Sequence, residues 1–362
     1  MGSRVVVGAH GGRAVKRSPR ALRRLAIVTV PVTYALVVLG DTVRVTQSGM
    51  GCRSWPLCNG HIGLVGDYHA MLEQSHRYLA AAVTVLVVLT YLAAWRQARH
   101  VRSVRLATLA SVVTIAVQVP LGAITVLAHN AGWTVAMHLA GAWLVVAAVT
   151  VTMVAVTRST RSSPVAASRA AARGASRTPA ADGLVAQTLT TPLGVSLVAV
   201  FLVAVAGMLV LHDHATLSCP SWPLCPRWSS GAALQYLHRS MALVAGVAVA
   251  WLAVRVWRLG RTTALERSLT AATLGLLLAT AAFGAVVATT GAPEYAQDVH
   301  LALASGLWLT LVALASCILL PGAQGLAVGS PTRTGPRSVA GEHDAPSELG
   351  VLAEAREGPQ CL

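Results

Sequence analysis

The sequence predicts an all-α, polytopic membrane protein whose eight transmembrane helices form two tandem, pseudo-symmetric four-helix bundles. Three observations predict it. Only 11% of the 362 residues are charged and 55% are hydrophobic, whereas soluble domains carry about a quarter charged residues. Several uncharged runs reach the roughly 20 residues needed to cross a hydrocarbon core. Residues 106–128 and 268–293 hold no charge, and 130–157 holds His138 as its one titratable group. The chain also repeats itself: His76 and His238 stand at the same separation as His138 and His300, and as Gly122 and Gly284.

Residues 1–24 read as a basic tail with seven Lys/Arg. Apolar spans follow at about 25–43, 72–95, 105–128 and 132–157, so 25–157 is the first four-helix unit. The first span follows a basic stretch but lacks a small-residue cleavage site, so it reads as a helix rather than a signal peptide. Residues 158–187, rich in Ala, Arg, Ser and Pro, read as a linker. Spans at about 188–211, 232–254, 267–290 and 297–320 make the second unit, 188–320. The tail 321–362, rich in Gly, Pro, Ser and acidic residues, reads as disordered. An even number of spans per unit gives both units the same orientation, a parallel repeat.

The formal net charge is +15. Its placement argues against nucleic acid as a partner. Positive residues cluster in the N-terminal tail, in 96–105 (four), 158–189 (five), 255–267 (four) and the C-terminal tail (three). The alternate loops hold only Arg44, Arg53 and Arg227. That alternation is the positive-inside pattern. It predicts a plasma-membrane protein with both termini cytoplasmic and the segments around Cys52, Cys58, Cys219 and Cys225 outside, on the oxidising side.

Four of the twelve histidines sit inside spans at repeat-related positions: His76, His138, His238 and His300. Ionisable groups inside a bilayer are costly and mark functional sites. Each of the four lies near the outer end of an even-numbered span, so all share one depth. Two imidazoles on different helices of one bundle suit an iron porphyrin, which accepts one on each face. Zinc would need further ligands, and these are sparse at that depth. Arg77 and Arg239 follow His76 and His238 directly, placed either to pair with a propionate or to reach the headgroups.

The two units differ beside this site. Glu73 stands three residues before His76, on the same helix face, where the second unit has Gln235. Arg44 stands eight residues before Cys52, where the second unit has Leu211 before Cys219. A carboxylate beside a macrocycle can relay protons or stabilise positive charge, or it can simply bond a neighbouring helix. "GCRSWPLCNG" and "SCPSWPLCPR" hold the same Cys-x5-Cys frame around Ser-Trp-Pro-Leu. Each pair can close a rigid cap by a disulfide, act as a redox couple, or bind metal.

These segments together resemble the haem A synthase family: "RVTQSGMGCRSWPLCNG", "EQSHRYLAA", "QVPLGAITVLAHN" with His138 after it, and His238 and His300 in the repeat. The resemblance covers about 25–320. It implies an eight-helix membrane enzyme that oxidises a ring methyl of haem O to the formyl of haem A for terminal oxidases. By resemblance, His76 and His138 flank the substrate haem with Glu73 as the catalytic carboxylate. His238 and His300 hold a haem b cofactor, and Cys52–Cys58 and Cys219–Cys225 are the family's outer-loop pairs. The implied partners are the lipid bilayer, a haem O synthase as donor of substrate, a terminal oxidase as recipient and an unidentified electron donor. A homo-oligomer is left open. A di-haem b electron-transfer cytochrome and a non-catalytic haem-binding assembly protein are the alternative readings.

Overall fold

The computed structural model describes residues 19–63, 66–160, 179–212 and 215–320. Residues 1–18, most of the expected linker and the tail after 320 lie outside these. The described residues form eight long helices: α1 (Pro19–Val45), α2 (Tyr68–Ala98), α3 (Arg102–Leu127), α4 (Gly132–Thr160), α5 (Pro179–His212), α6 (Ser230–Arg258), α7 (Ala264–Thr289) and α8 (Glu294–Leu319). A short 3₁₀ turn precedes each Cys loop, at Ser48–Met50 and Ala215–Leu217. All eight helices are long and apolar enough to span a membrane, and the chain is a multi-pass membrane protein.

The helices run past the apolar spans that mark them in sequence. A 26-residue helix such as α3 is about 39 Å long at 1.5 Å per residue, against roughly 30 Å of hydrocarbon. The apolar run marks the part in lipid, and the backbone ladder continues into the flanks. The largest difference is at α5. It begins at Pro179, within the expected linker rather than at 188, because Pro is favoured at a first helical position and Asp182 lies in the first turn, where the helix dipole suits an anion.

Helix starts are capped in register with the repeat. Asp67 accepts from the Ala70 N–H before α2, and Ser229, its repeat counterpart, accepts from Ala232 before α6. Thr263 and Glu266 form a capping box at α7. Within the spans, buried hydroxyls donate to the carbonyl one turn back, as Thr33 does to Thr29 and Thr150 to Val146. That satisfies them where no water is present.

α1 packs on α2 and α4, α2 on α3, and α3 on α4, closing a four-helix ring. α5 packs on α6 and α8, α6 on α7, and α7 on α8, the same ring again. The rings join where α4 and α1 meet α8, and α4 meets α5. At this seam the Trp143 and Trp308 rings stack 5.5 Å apart, and Trp308 Nε1 donates to the Trp143 carbonyl at 2.8 Å. Tyr34 of α1 donates to the Ala302 carbonyl of α8. The main apolar cluster spans α4, α5, α6 and α8, with Val37 of α1. Outward faces stay apolar: Leu243, Val247 and Leu278 are largely exposed, a surface that suits acyl chains rather than water.

Candidate functional site

Each of the four intramembrane histidines lies over a glycine of the preceding helix. His76 of α2 faces Gly40 of α1, and His138 of α4 faces Gly122 of α3. His238 of α6 faces Gly207 of α5, and His300 of α8 faces Gly284 of α7. A Cβ at these glycines would stand 2.8 to 3.1 Å from the ring Cε1, inside the roughly 3.5 Å at which carbons pack. Only glycine lets the imidazole lie against the neighbouring backbone. All four rings are partly buried. The two imidazoles of the first half are close enough to interact electrostatically, and so are those of the second.

In the second half the rings are anchored by backbone. His300 Nδ1 lies 2.9 Å from the Thr280 carbonyl, and His238 Nδ1 lies 3.2 Å from that of Val203. Each acceptor sits one helical turn before the glycine the ring lies over. A carbonyl only accepts, so Nδ1 carries the hydrogen and Nε2 keeps its lone pair. That is the form in which imidazole ligates a metal. In the first half, Leu36 stands one turn before Gly40 in the same way, but among the described residues His76 Nδ1 is buried without a hydrogen-bond partner. Beside His138 a side chain intervenes: the Gln118 amide nitrogen lies 3.1 Å from Nδ1 and 2.8 Å from the His138 carbonyl.

Both Cys loops close as disulfides, Cys52–Cys58 and Cys219–Cys225, and both Trp-Pro peptides are cis. The arginines after His76 and His238 hold these loops down. Arg77 donates to the carbonyls of Ser54 at 2.6 Å and Cys52 at 3.2 Å. Arg239 donates to Ser221 and Pro223 at 2.9 Å and to Cys219 at 3.2 Å. These carbonyls are the contacts of both guanidiniums in the structure, besides Glu73 at Arg77 and Cys219 Sγ at Arg239. The guanidiniums clamp the loops to α2 and α6.

Glu73 is buried at 4% exposure and joins the first clamp. One carboxylate oxygen accepts the Cys52 N–H at 2.7 Å and the other pairs with Arg77 at 2.5 Å. Gln235 instead donates to the Ala215 and Thr216 carbonyls, both at 3.1 Å. Glu73 thus holds the Cys loop itself as a charged acceptor, whereas Gln235 holds the 3₁₀ turn before the loop as a neutral donor. Arg44 pairs with Asp41 on its own helix at 2.8 Å. Asp298 of α8 lies alongside Asp41.

The difference in charge predicts a difference in stability. Arg77→Leu leaves the Glu73 carboxylate buried without its cation, at a cost of about 3 kcal/mol or more. Arg239→Leu orphans only neutral carbonyls, at roughly 1–3 kcal/mol. Thermal unfolding of the two purified variants in detergent should rank Arg77→Leu as the less stable.

Sequence reading brings out His76, His138, His238, His300, Glu73 and the cysteines, and the structure gathers them at the loop end of the bundles. It does not bring out Gly40, Gly207, Gln118 or Asp41. The two glycines carry a signal that could have found them. They stand at the same separation as Cys52 and Cys219.

The chain matches the COX15-CtaA family, described as cytochrome oxidase assembly protein, over residues 23–71 and 65–312. A heme A synthase of Symbiobacterium thermophilum is 30% identical over 86% of this chain and all of that protein's length. One of Shouchella clausii is 27% identical over 81% of this chain and 95% of its own. One of Geobacillus thermodenitrificans is 29% identical over 65% of this chain and 71% of its own. The family match alone spans far more than half of the residues, and the chain belongs to the COX15-CtaA family of cytochrome oxidase assembly proteins.

Proposed function

We propose that the chain is a haem A synthase, converting haem O to haem A for terminal oxidases. The observation that carries this is the paired-imidazole geometry, built twice on glycine-backed helices, with a carboxylate at only one of the two sites. In this reading 25–157 is the catalytic unit. The substrate haem lies between His76 and His138, and Glu73 is the acid or base beside it. The unit 188–320 holds haem b between His238 and His300. The residues fit that group, since both Nδ1–H groups have backbone acceptors and both Nε2 lone pairs are left for a metal. Haem b supplies electron transfer to or from the first half.

The chain's own groups then divide the work. Glu73 would hold or pass a proton beside the ring methyl that becomes the formyl group. The Arg77 clamp and the Cys52–Cys58 loop cover the site and keep bulk water from Glu73. Arg44, which donates to Asp41 through Nε and one terminal nitrogen, has further N–H groups suited to a propionate. The charge alternation supports cytoplasmic termini and outward loops. A haem O synthase, a terminal oxidase and an electron donor complete the expected partners.

The test is expression of the full chain in cells that make haem O, followed by acid extraction of haem. Formyl-bearing haem supports the enzyme. Haem O left unconverted, with protohaem bound to the chain, supports the di-haem cytochrome instead.

A further inference from the structure

We propose that the turn between α2 and α3 binds the phosphate of an anionic phospholipid, with a second, weaker copy of the site between α6 and α7. Both turns lie at the helix ends away from the Cys loops. The membrane spans alone are needed for this, and the haem sites are not.

The repeat picks the residues out. Residues 91–105 read YLAAWRQARHVRSVR, and their counterparts 253–267 read AVRVWRLGRTTALER. The two strings agree at Trp95 with Trp257, Arg96 with Arg258, Arg99 with Arg261 and Arg105 with Arg267, and nowhere else. Membrane topology asks for positive charge in such a loop, but it counts Lys and Arg anywhere near the span ends. It does not ask for arginine at three fixed places, nor for a tryptophan directly before the first. The rest of the turn differs between the halves, as His100 does from Thr262 and Arg102 from Ala264.

These residues stand where a headgroup lies. Arg96 is in the last turn of α2, Arg99 caps that helix, and Arg105 is one turn into α3. The Val101 N–H bonds the Ala98 carbonyl, so the connection is tight and the three arginines are gathered at one hairpin tip. All three are exposed. Among the described residues, no hydrogen bond or ion pair reaches their side chains. Trp95 is 51% exposed and Trp257 45%. An exposed indole at the end of a span belongs to the interfacial layer, beside the headgroups.

Charge selects the ligand. No Asp or Glu stands between Glu73 and Asp182, so α3 and α4 offer these arginines no anion, and α2 offers none after Glu73. Guanidinium matches phosphate oxygens through paired N–H groups. A zwitterionic lipid brings its own cation to that phosphate, and an anionic lipid does not. At the α6–α7 turn Glu266 supplies a carboxylate, and Arg267 turns back to the Thr262 carbonyl. That copy is therefore the weaker.

Native mass spectrometry of the purified full chain in neutral detergent reads bound lipid directly. With equal phosphatidylglycerol and phosphatidylcholine added, the chain should retain phosphatidylglycerol at least about tenfold more, since each arginine near the surface adds to the attraction. Moving the charges without changing their number isolates the site: Arg96→Gln and Arg99→Gln combined with His100→Arg and Ser103→Arg. This keeps the positive charge that orients the spans and takes it away from Trp95. The most tightly held phosphatidylglycerol should be lost, while the variant unfolds at the wild-type temperature in phosphatidylcholine. Equal retention of the two lipids by the wild-type chain overturns the proposal and leaves the arginines to topology or to a soluble acidic partner. A charge-moved variant that holds phosphatidylglycerol as well as wild type overturns it too. The wild-type comparison needs no variant, so it decides the matter if the moved charges prevent folding.

Discussion

Glu73→Gln should leave haem bound in both halves and reduce formation of haem A by at least about 100-fold, the lower range for loss of a positioned acid or base. The substitution is mild in shape. The amide oxygen can still accept the Cys52 N–H, now at 2.7 Å from the carboxylate. The second half already carries Gln at the matching position, 235, beneath an equivalent disulfide loop. What disappears is the ability to exchange a proton and the ion pair with Arg77. Haem content by absorbance, against haem A by chromatography of the acid extract, separates loss of chemistry from loss of the site. Haem A at the wild-type level would remove Glu73 from the mechanism.

The second large effect is expected from His300→Ala. The ring is held by one hydrogen bond to Thr280 and by its contact with Gly284, and alanine puts no nitrogen in its place. About half of the bound haem should be lost, and it should be the low-spin protohaem. Conversion should fall with it, because electrons then have no stored route between the halves. His238→Ala should behave the same way, and neither variant should displace haem from the first half. If either one emptied both halves, the seam between α4 and α8 would matter more than the ligands, and the division of labour would be wrong.

The eight helices are legible in the sequence because lipid demands uncharged runs, and the charges that interrupt them fall at the helix ends. The histidine pairs are legible because one constant offset singles out His76, His138, His238 and His300 from the other histidines. The glycines beneath His76 and His238 are not, because the offset changes there. The stretch from Cys58 to His76 is longer than the stretch from Cys225 to His238. A single-offset comparison therefore loses register in α1 and α5. The role of Arg77 and Arg239 depends on the loop folding back over the helix, which spacing alone does not encode. The Trp143–Trp308 stack depends on which lipid-compatible faces meet each other, and these look alike in sequence.

The extension of α5 to Pro179 has a similar origin. The segment before 188 is too polar to register as a span, yet polarity does not stop a helix outside the hydrocarbon. Proline at the start and an acid in the first turn are local signals, and they outweigh the compositional impression of a linker.

Two imidazole pairs gripping two macrocycles in one chain are the feature on which the proposed activity depends. The most direct measurement is the haem type and amount per chain in the purified full-length protein after expression with haem O, by pyridine haemochrome spectra and chromatography of the extracted haems. The account predicts one protohaem and one haem of the O or A type per chain. A single haem per chain, protohaem alone in both halves, or protein that stays colourless after reconstitution would contradict it.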